Sequence, residues 1–317
     1  MDTDILADAL TDPVTADGPP IGPSTLRRIA AAWPRRATVR TDMDKVVGEP
    51  DGPAGFDPEL PDYPERILPF AGHPRYLAAE PHQRSLVNTL GWLAYNERVV
   101  AGEEHVANPT FAMLARGEFA GVQSFEAREA VQQAHVDEAW HTYMHMIAVR
   151  RTRQLRAVVS EPPYTQPIAN RLLALLWSAV GEISINGLLD LLARDGTIQP
   201  MHAYIAALHE RDENAHGPVM FQVMKDVFVH LPGEQRRLLI RELPGAITAF
   251  GAEDYELWPQ LLRFAGITGA DEIIEDCKAM PGSELLVTGF GGVQRLIREL
   301  DIEDEVDFDF AAVQPRT

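Results

Sequence analysis

Cysteine is nearly missing from this chain: Cys277 is the one example among 317 residues. No internal disulfide framework is possible, and a reducing cytoplasm is the default expectation. Basic residues are short as well, 28 Lys and Arg against 47 Asp and Glu, for a net charge of -19. That excess of negative charge argues against nucleic acid or an anionic membrane as a partner. Long uncharged apolar runs are missing, so no membrane-spanning helix is expected. The opening MDTDILADALTDPVTADGPP is acidic and lacks the continuous apolar core of a secretory signal. Alternating strand patterns and internal repeats are absent too, which leaves an all-α fold.

What the chain does have is helical periodicity, with 45% hydrophobic content, ample for a sizeable core. It reads as a single domain over 1–317. Residues 1–24 read as a loose acidic arm. Ser24 caps a short helix, TLRRIAAAW, stopped by Pro34. Residues 48–72 are rich in proline and read as an extended strap over the main body. Four long helical patterns follow, at 83–106 (ended before Pro109), 126–155, 167–194 (with Gly196 just beyond) and 199–230 (with a bend at Gly217-Pro218). Shorter helices are expected at 233–250, 254–265, 270–279 and 291–300.

The chemistry is carried by acids and histidines at helical spacing. Glu182 sits in the apolar stretch LLALLWSAVGEISINGLLDLLA, where an unpaired buried carboxylate needs a metal, a cation or a proton. Glu138 and His141 form Glu-x-x-His and share a helix face. His209, Glu213 and His216 stand at i, i+4 and i+7 and share another. Two Glu-x-x-His pairs and two single glutamates on four successive helices is the donor pattern of ferritin-like bundles that hold two metal ions. Iron, manganese and zinc all accept such imidazole–carboxylate sets. The second single glutamate belongs on the first helix, where Glu97, Glu103 and Glu104 compete. Glu103 lies on a stripe with Tyr95 and Val99, with Arg98 beside it. Glu97 lies on a more apolar stripe and is more central, and periodicity leaves the two near even. Trp92, Trp140 and Trp177 read as core packing, and His135 and His145 as residues behind the site or in the core.

These segments together resemble the AurF-type arylamine N-oxygenases. The resemblance runs from AAWPRRATV at 31–39 to DEVDFDF at 304–310, through HPRYLAAEPHQR, YNERVVAGE, QQAHVDEAWHTYMHM, LLARDGTIQPMH and LHERDENAHG. It implies a ferritin-like bundle with additional N- and C-terminal helices, a non-haem di-iron centre and a homodimer. It also implies seven ligands: Glu103, Glu138, His141, Glu182, His209, Glu213 and His216. Glu103 is thereby preferred over Glu97. Tyr95 and Arg98 match positions that hold a substrate carboxylate, and a guanidinium pairs well with one. The competing reading of Arg98 is a structural ion pair with Glu97 or Asp137. Asp137, Asp212 and Asn186 are candidates to orient the ligands from behind.

The activity implied by the resemblance is conversion of an aryl amine, p-aminobenzoate or an analogue, through hydroxylamine and nitroso to nitro with O2. Two iron ions are the expected cofactor, with manganese the less favoured occupant. No flavin or nicotinamide motif is present, so an external reductase is expected. The rivals are another di-iron oxidase or hydroxylase and a non-catalytic ferritin-like metal-binding protein.

Overall fold

The computed structural model describes residues 25–48, 54–159, 170–280, 283, 285–286 and 289–311. The acidic arm, the Ser24 cap, residues 49–53 of the strap and residues 167–169 lie outside the described residues. The fold is all-α. Among the described residues, extended pairing is confined to two isolated bridges, Val47 with Ala54 and Ala252 with Leu285. The helices are α1 (Thr25–Arg36), α2 (Met43–Val46), α3 (Pro74–Leu77), α4 (Pro81–Gly102), α5 (Asn108–Ala115), α6 (Phe125–Arg156) and α7 (Arg171–Ser184). They continue as α8 (Asn186–Ala193), α9 (Pro200–His230), α10 (Gly233–Gly251), α11 (Trp258–Phe264), α12 (Ala270–Lys278) and α13 (Gly291–Glu299). A π-helical turn, Glu103–Ala107, joins α4 to α5.

Local chemistry sets the long helices. Pro81 opens α4, and Glu80 with Gln83 forms a reciprocal capping box. The Ser124 hydroxyl accepts from the Ala127 N–H at the start of α6, which ends on Ala157 in the left-handed region at φ 54°. The Asn170 side chain accepts from the N–H groups of Leu172 and Leu173 to start α7. The ferritin-like bundle is made by α4, α6, α9 and the α7–α8 pair: α6 packs on α4 and α9, and α7 and α8 pack on α9.

Four expectations are corrected. First, α1 runs through Pro34 to Arg36. Proline removes the N–H that would bond Ala30, and the Gln133 amide supplies a donor to the Ala30 carbonyl instead, at 3.3 Å. Second, the first bundle helix does not stop before Pro109. It passes through the π turn into α5, where Pro109 sits in the first turn and the Asn108 side chain donates to Glu103 O. Third, the apolar helix is broken at Ile185 into α7 and α8. Fourth, α11 starts at Trp258, not at residue 254. Helix α9, by contrast, continues without interruption through Pro218.

Two apolar clusters fill the interior. One gathers the first half of α6, α7, the second half of α9, α10 and α13 around Phe111, Leu175 and Ile247. The other gathers the second half of α6, the first half of α9, α11, α12 and the proline-rich segment around Trp92, Tyr76 and Phe70. The middles of α6 and α9 lie between them, and that layer is polar. Gly217 lets α9 approach α7 closely, since a Cβ there would stand 3.0 Å from Glu182 O. The stretch Arg171–Ala193 is long and apolar enough to cross a membrane by length and composition, yet 56% of that window is buried inside the protein.

Candidate metal centre

The polar layer collects donors from four elements. Glu138 and His141 come from α6, and His209, Glu213 and His216 from α9. Glu182 comes from α7, and Glu103 from the first position of the π turn. All seven are buried. Donor atoms of Glu138, His141, Glu213 and His216 lie within 4.8 Å of one another, as do those of Glu103, His141 and His209. Glu213 Oε1 is central: it stands 3.0 Å from His216 Nδ1 and 3.4 Å from both His141 Nδ1 and His209 Nε2. Glu182 Oε2 is 3.8 Å from His216 Nδ1, and Glu103 Oε1 is 3.8 Å from His209 Nε2. A π turn at a buried functional carboxylate is a recurring use of that irregularity. Glu97 points elsewhere and pairs with Arg153. Glu104, on the same turn, is exposed.

Each histidine turns one ring nitrogen into the cluster and has the other held from outside. Asp212 Oδ2 lies 3.3 Å from His141 Nε2, and Asp137 Oδ2 lies 3.1 Å from His216 Nε2. These aspartates are tied in turn to the N-terminal segment. Asp212 accepts from the Thr38 hydroxyl at 2.5 Å and from its N–H at 3.3 Å, and Asp137 accepts from the Trp33 indole at 2.8 Å. The third ring, His209, meets His145 instead, at 2.8 Å. Asn186 bonds to none of the seven; its Oδ1 is buried without a partner.

Seven buried donors must share protons when no cation is bound. Burial pushes Glu103 and Glu182 up and the charge of Glu138 pushes them further, so both carboxyls sit well above the usual range. Burial also raises Glu138, but the neighbouring His216 more than reverses this and brings it to about 2. Glu213 falls well below its usual value in the same way. Burial lowers His216, and Glu138 and Glu213 overturn that and carry it well above an ordinary histidine. His141 rises to about 9, with Asp212 and Glu138 outweighing burial. His209 is lowered, by burial first and by His141 second.

The donor set fits metal ions. Both Glu138 oxygens, Glu103 Oε2, Glu182 Oε2, Glu213 Oε2 and His141 Nδ1 are buried with no hydrogen-bond partner. So many orphaned acceptors in one spot are costly unless a cation completes them. Mixed carboxylate and imidazole donors suit Fe, Mn or Zn.

A cavity of about 330 Å³ opens on one side of the cluster. Glu103, Glu182, His209 and Glu213 form its inner end, and Tyr95, Arg98, Trp177, Ser178 and Phe250 line the rest. Arg98 has no carboxylate partner among the described residues. It donates over long distances to the Ala249 and Ala252 carbonyls, 3.4 and 3.5 Å. The Tyr95 hydroxyl is buried without a partner. Trp177, expected in the core, packs against the first apolar cluster and lines this cavity as well. Sequence reasoning gave no specific part to Trp33, Thr38 or Asn96, which are remote in sequence or ordinary in type.

The family model described as P-aminobenzoate N-oxygenase AurF matches residues 22–301. A curated 4-aminobenzoate N-oxygenase from Streptomyces thioluteus is 44% identical over 306 residues, covering 92% of this chain and 90% of the relative.

Proposed function

The chain belongs to the p-aminobenzoate N-oxygenase AurF family, and from that premise we propose that it oxygenates the nitrogen of p-aminobenzoate or a close arylamine analogue. The reaction takes the amine through hydroxylamine and nitroso to nitro, with O2 and electrons from an external reductase. The observation that carries this reading is the run from the last turns of α4 into the π turn. It places Arg98 and Glu103 on the same cavity, and five helical residues span about 7.5 Å. That separation suits a benzene ring with a carboxylate at one end and an amine at the other.

Two iron ions are held by Glu103, Glu138, His141, Glu182, His209, Glu213 and His216; manganese is the less favoured occupant. Bound there, they supply the binding and reductive activation of O2 beside the amine. The protein's own residues do the rest. Arg98 exchanges its long bonds to the Ala249 and Ala252 carbonyls for a bidentate pair with the substrate carboxylate. Burial, with Glu103 and Glu213 nearby, raises the Tyr95 phenol, so its hydroxyl stays protonated and donates to the same carboxylate. Trp177, Val106, Leu188 and Phe250 present an apolar wall to the ring and exclude water. Asp137 and Asp212 fix the ring orientation of His216 and His141. The chain acts as one domain, as a homodimer in the cytoplasm.

The test is turnover by the iron-loaded protein given O2, a chemical reductant and p-aminobenzoate, with products identified by mass. Hydroxylamine, nitroso or nitro products are expected. Arg98→Ala raises KM for p-aminobenzoate far more than for aniline, which lacks the carboxylate. Ring or alkyl hydroxylation without N-oxidation sinks the assignment in favour of another di-iron oxidase. Tight metal binding with no product from any amine does so in favour of a binding protein.

A further inference from the structure

His141 and His216 are each backed by an aspartate, but His209 is not, and what stands behind it has a fixed polarity. The Asn96 amide lies 2.7 Å from Trp92 O, a carbonyl that only accepts. The Asn96 Nδ2 must therefore face Trp92, which turns Oδ1 toward His145 Nδ1 at 2.7 Å. Oδ1 only accepts, so His145 Nδ1 carries the hydrogen. Among the described residues no carboxylate contacts the buried His145 ring, which is flanked by Tyr95 and His209, and a neutral imidazole has a single N–H. Its Nε2 is then an acceptor, 2.8 Å from His209 Nδ1, and His209 Nδ1 must donate to it. The hydrogen is thereby kept off His209 Nε2, the nitrogen that faces Glu213 and Glu103.

We propose that His145 is a positioning residue that, with Asn96, fixes His209 in the tautomer whose Nε2 lone pair points into the metal centre, and makes it the weakest imidazole donor of the three. The proposal rests on the reading that these residues hold two metal ions. The backbone carbonyl of Trp92 sets the direction, and two side chains transmit it inward. The strength follows from the acceptor. A carboxylate behind an imidazole polarises it and raises its basicity, as Asp212 and Asp137 do for His141 and His216. A neutral imidazole is a poorer acceptor and leaves His209 less basic.

The test is a cobalt(II) titration of the full-length metal-free protein, read by visible absorption and by calorimetry. Wild type binds two Co2+ per chain. His145→Leu removes the acceptor, and one of the two ions is bound about 10–100-fold more weakly while the other is unchanged. His145→Gln, whose side-chain oxygen accepts at the same place, restores most of the affinity. A His145→Leu protein that binds both ions like wild type while its Tm falls shows a merely structural residue and overturns the proposal. So does a folded His145→Gln that is no better than His145→Leu. Should His145→Leu fail to fold, Asn96→Leu asks the same question one bond further out, with the same two outcomes. Wild type that binds no cobalt overturns the metal centre itself, a result distinct from either.

Discussion

The helices that carry the paired motifs and those that carry single glutamates are built differently. Both motif helices, α6 and α9, are long and run unbroken through their donors, and their aspartate-backed rings are braced by the N-terminal segment. The single glutamates sit where the helix gives way. Glu103 opens a π turn, and Glu182 lies one turn before the break at Ile185. Regular helix repeats its geometry, so a pair of donors can be fixed by spacing alone. A lone donor from a third or fourth direction has to be aimed, and a local break in the hydrogen-bond ladder aims it.

Three changes test that difference, and the largest is loss of a motif residue. Glu213→Ala removes the carboxylate that meets all three rings, and metal analysis of the purified protein should show less than one ion per chain. Glu103→Ala, on the π turn, should leave one ion bound. Equal losses from the two variants would erase the distinction.

The next effect is on pH. In the metal-free protein His141 is raised from 6.5 to about 9. A raised histidine stabilises fully below pH 6.5, and that contribution is lost as pH climbs through 9. Metal-free protein should therefore lose thermal stability between pH 6.5 and 9. Metal binding has to expel these protons, so affinity should rise over the same interval, by about tenfold per pH unit for each proton displaced. Competition with a chelator of known affinity at several pH values measures it; a flat profile would mean the motif histidines are unprotonated before loading.

The smallest effect concerns α7. Gly217→Ala puts a methyl 3.0 Å from Glu182 O and should destabilise by about 1–3 kcal/mol, read by denaturant unfolding, while also weakening metal retention. Gly187→Ala, one turn past Glu182 with nothing within 4 Å, should stabilise by about 0.4–1 kcal/mol. If both behave alike, the close approach of α9 does not position Glu182.

Much of this is legible in the sequence. Glu138, His141, His209, Glu213 and His216 declare themselves because 3.6 residues per turn holds such spacings on one face. Glu182 stands out because its neighbours are apolar. Glu103 against Glu97 was not legible from periodicity. A π turn shifts the phase of everything after it, and Glu97 is equally buried because Arg153 meets it from α6. The run through Pro34 was hidden for a similar reason: the missing hydrogen bond to Ala30 O is compensated by Gln133, 103 residues from Ala30. The cavity, too, is assembled from α4, α7, α9 and α10, and no single segment contains its outline.

The braces behind His216 and His141 span 104 residues from Trp33 to Asp137 and 174 residues from Thr38 to Asp212. Both are long-range contacts, which local helix formation alone does not bring together. The centre is thus finished only when the beginning of the polypeptide docks onto its middle. A protease cut near residue 40 would leave every ligand in place, and the aspartates behind His216 and His141 as well, while loosening the contacts from Trp33 and Thr38 that brace those aspartates.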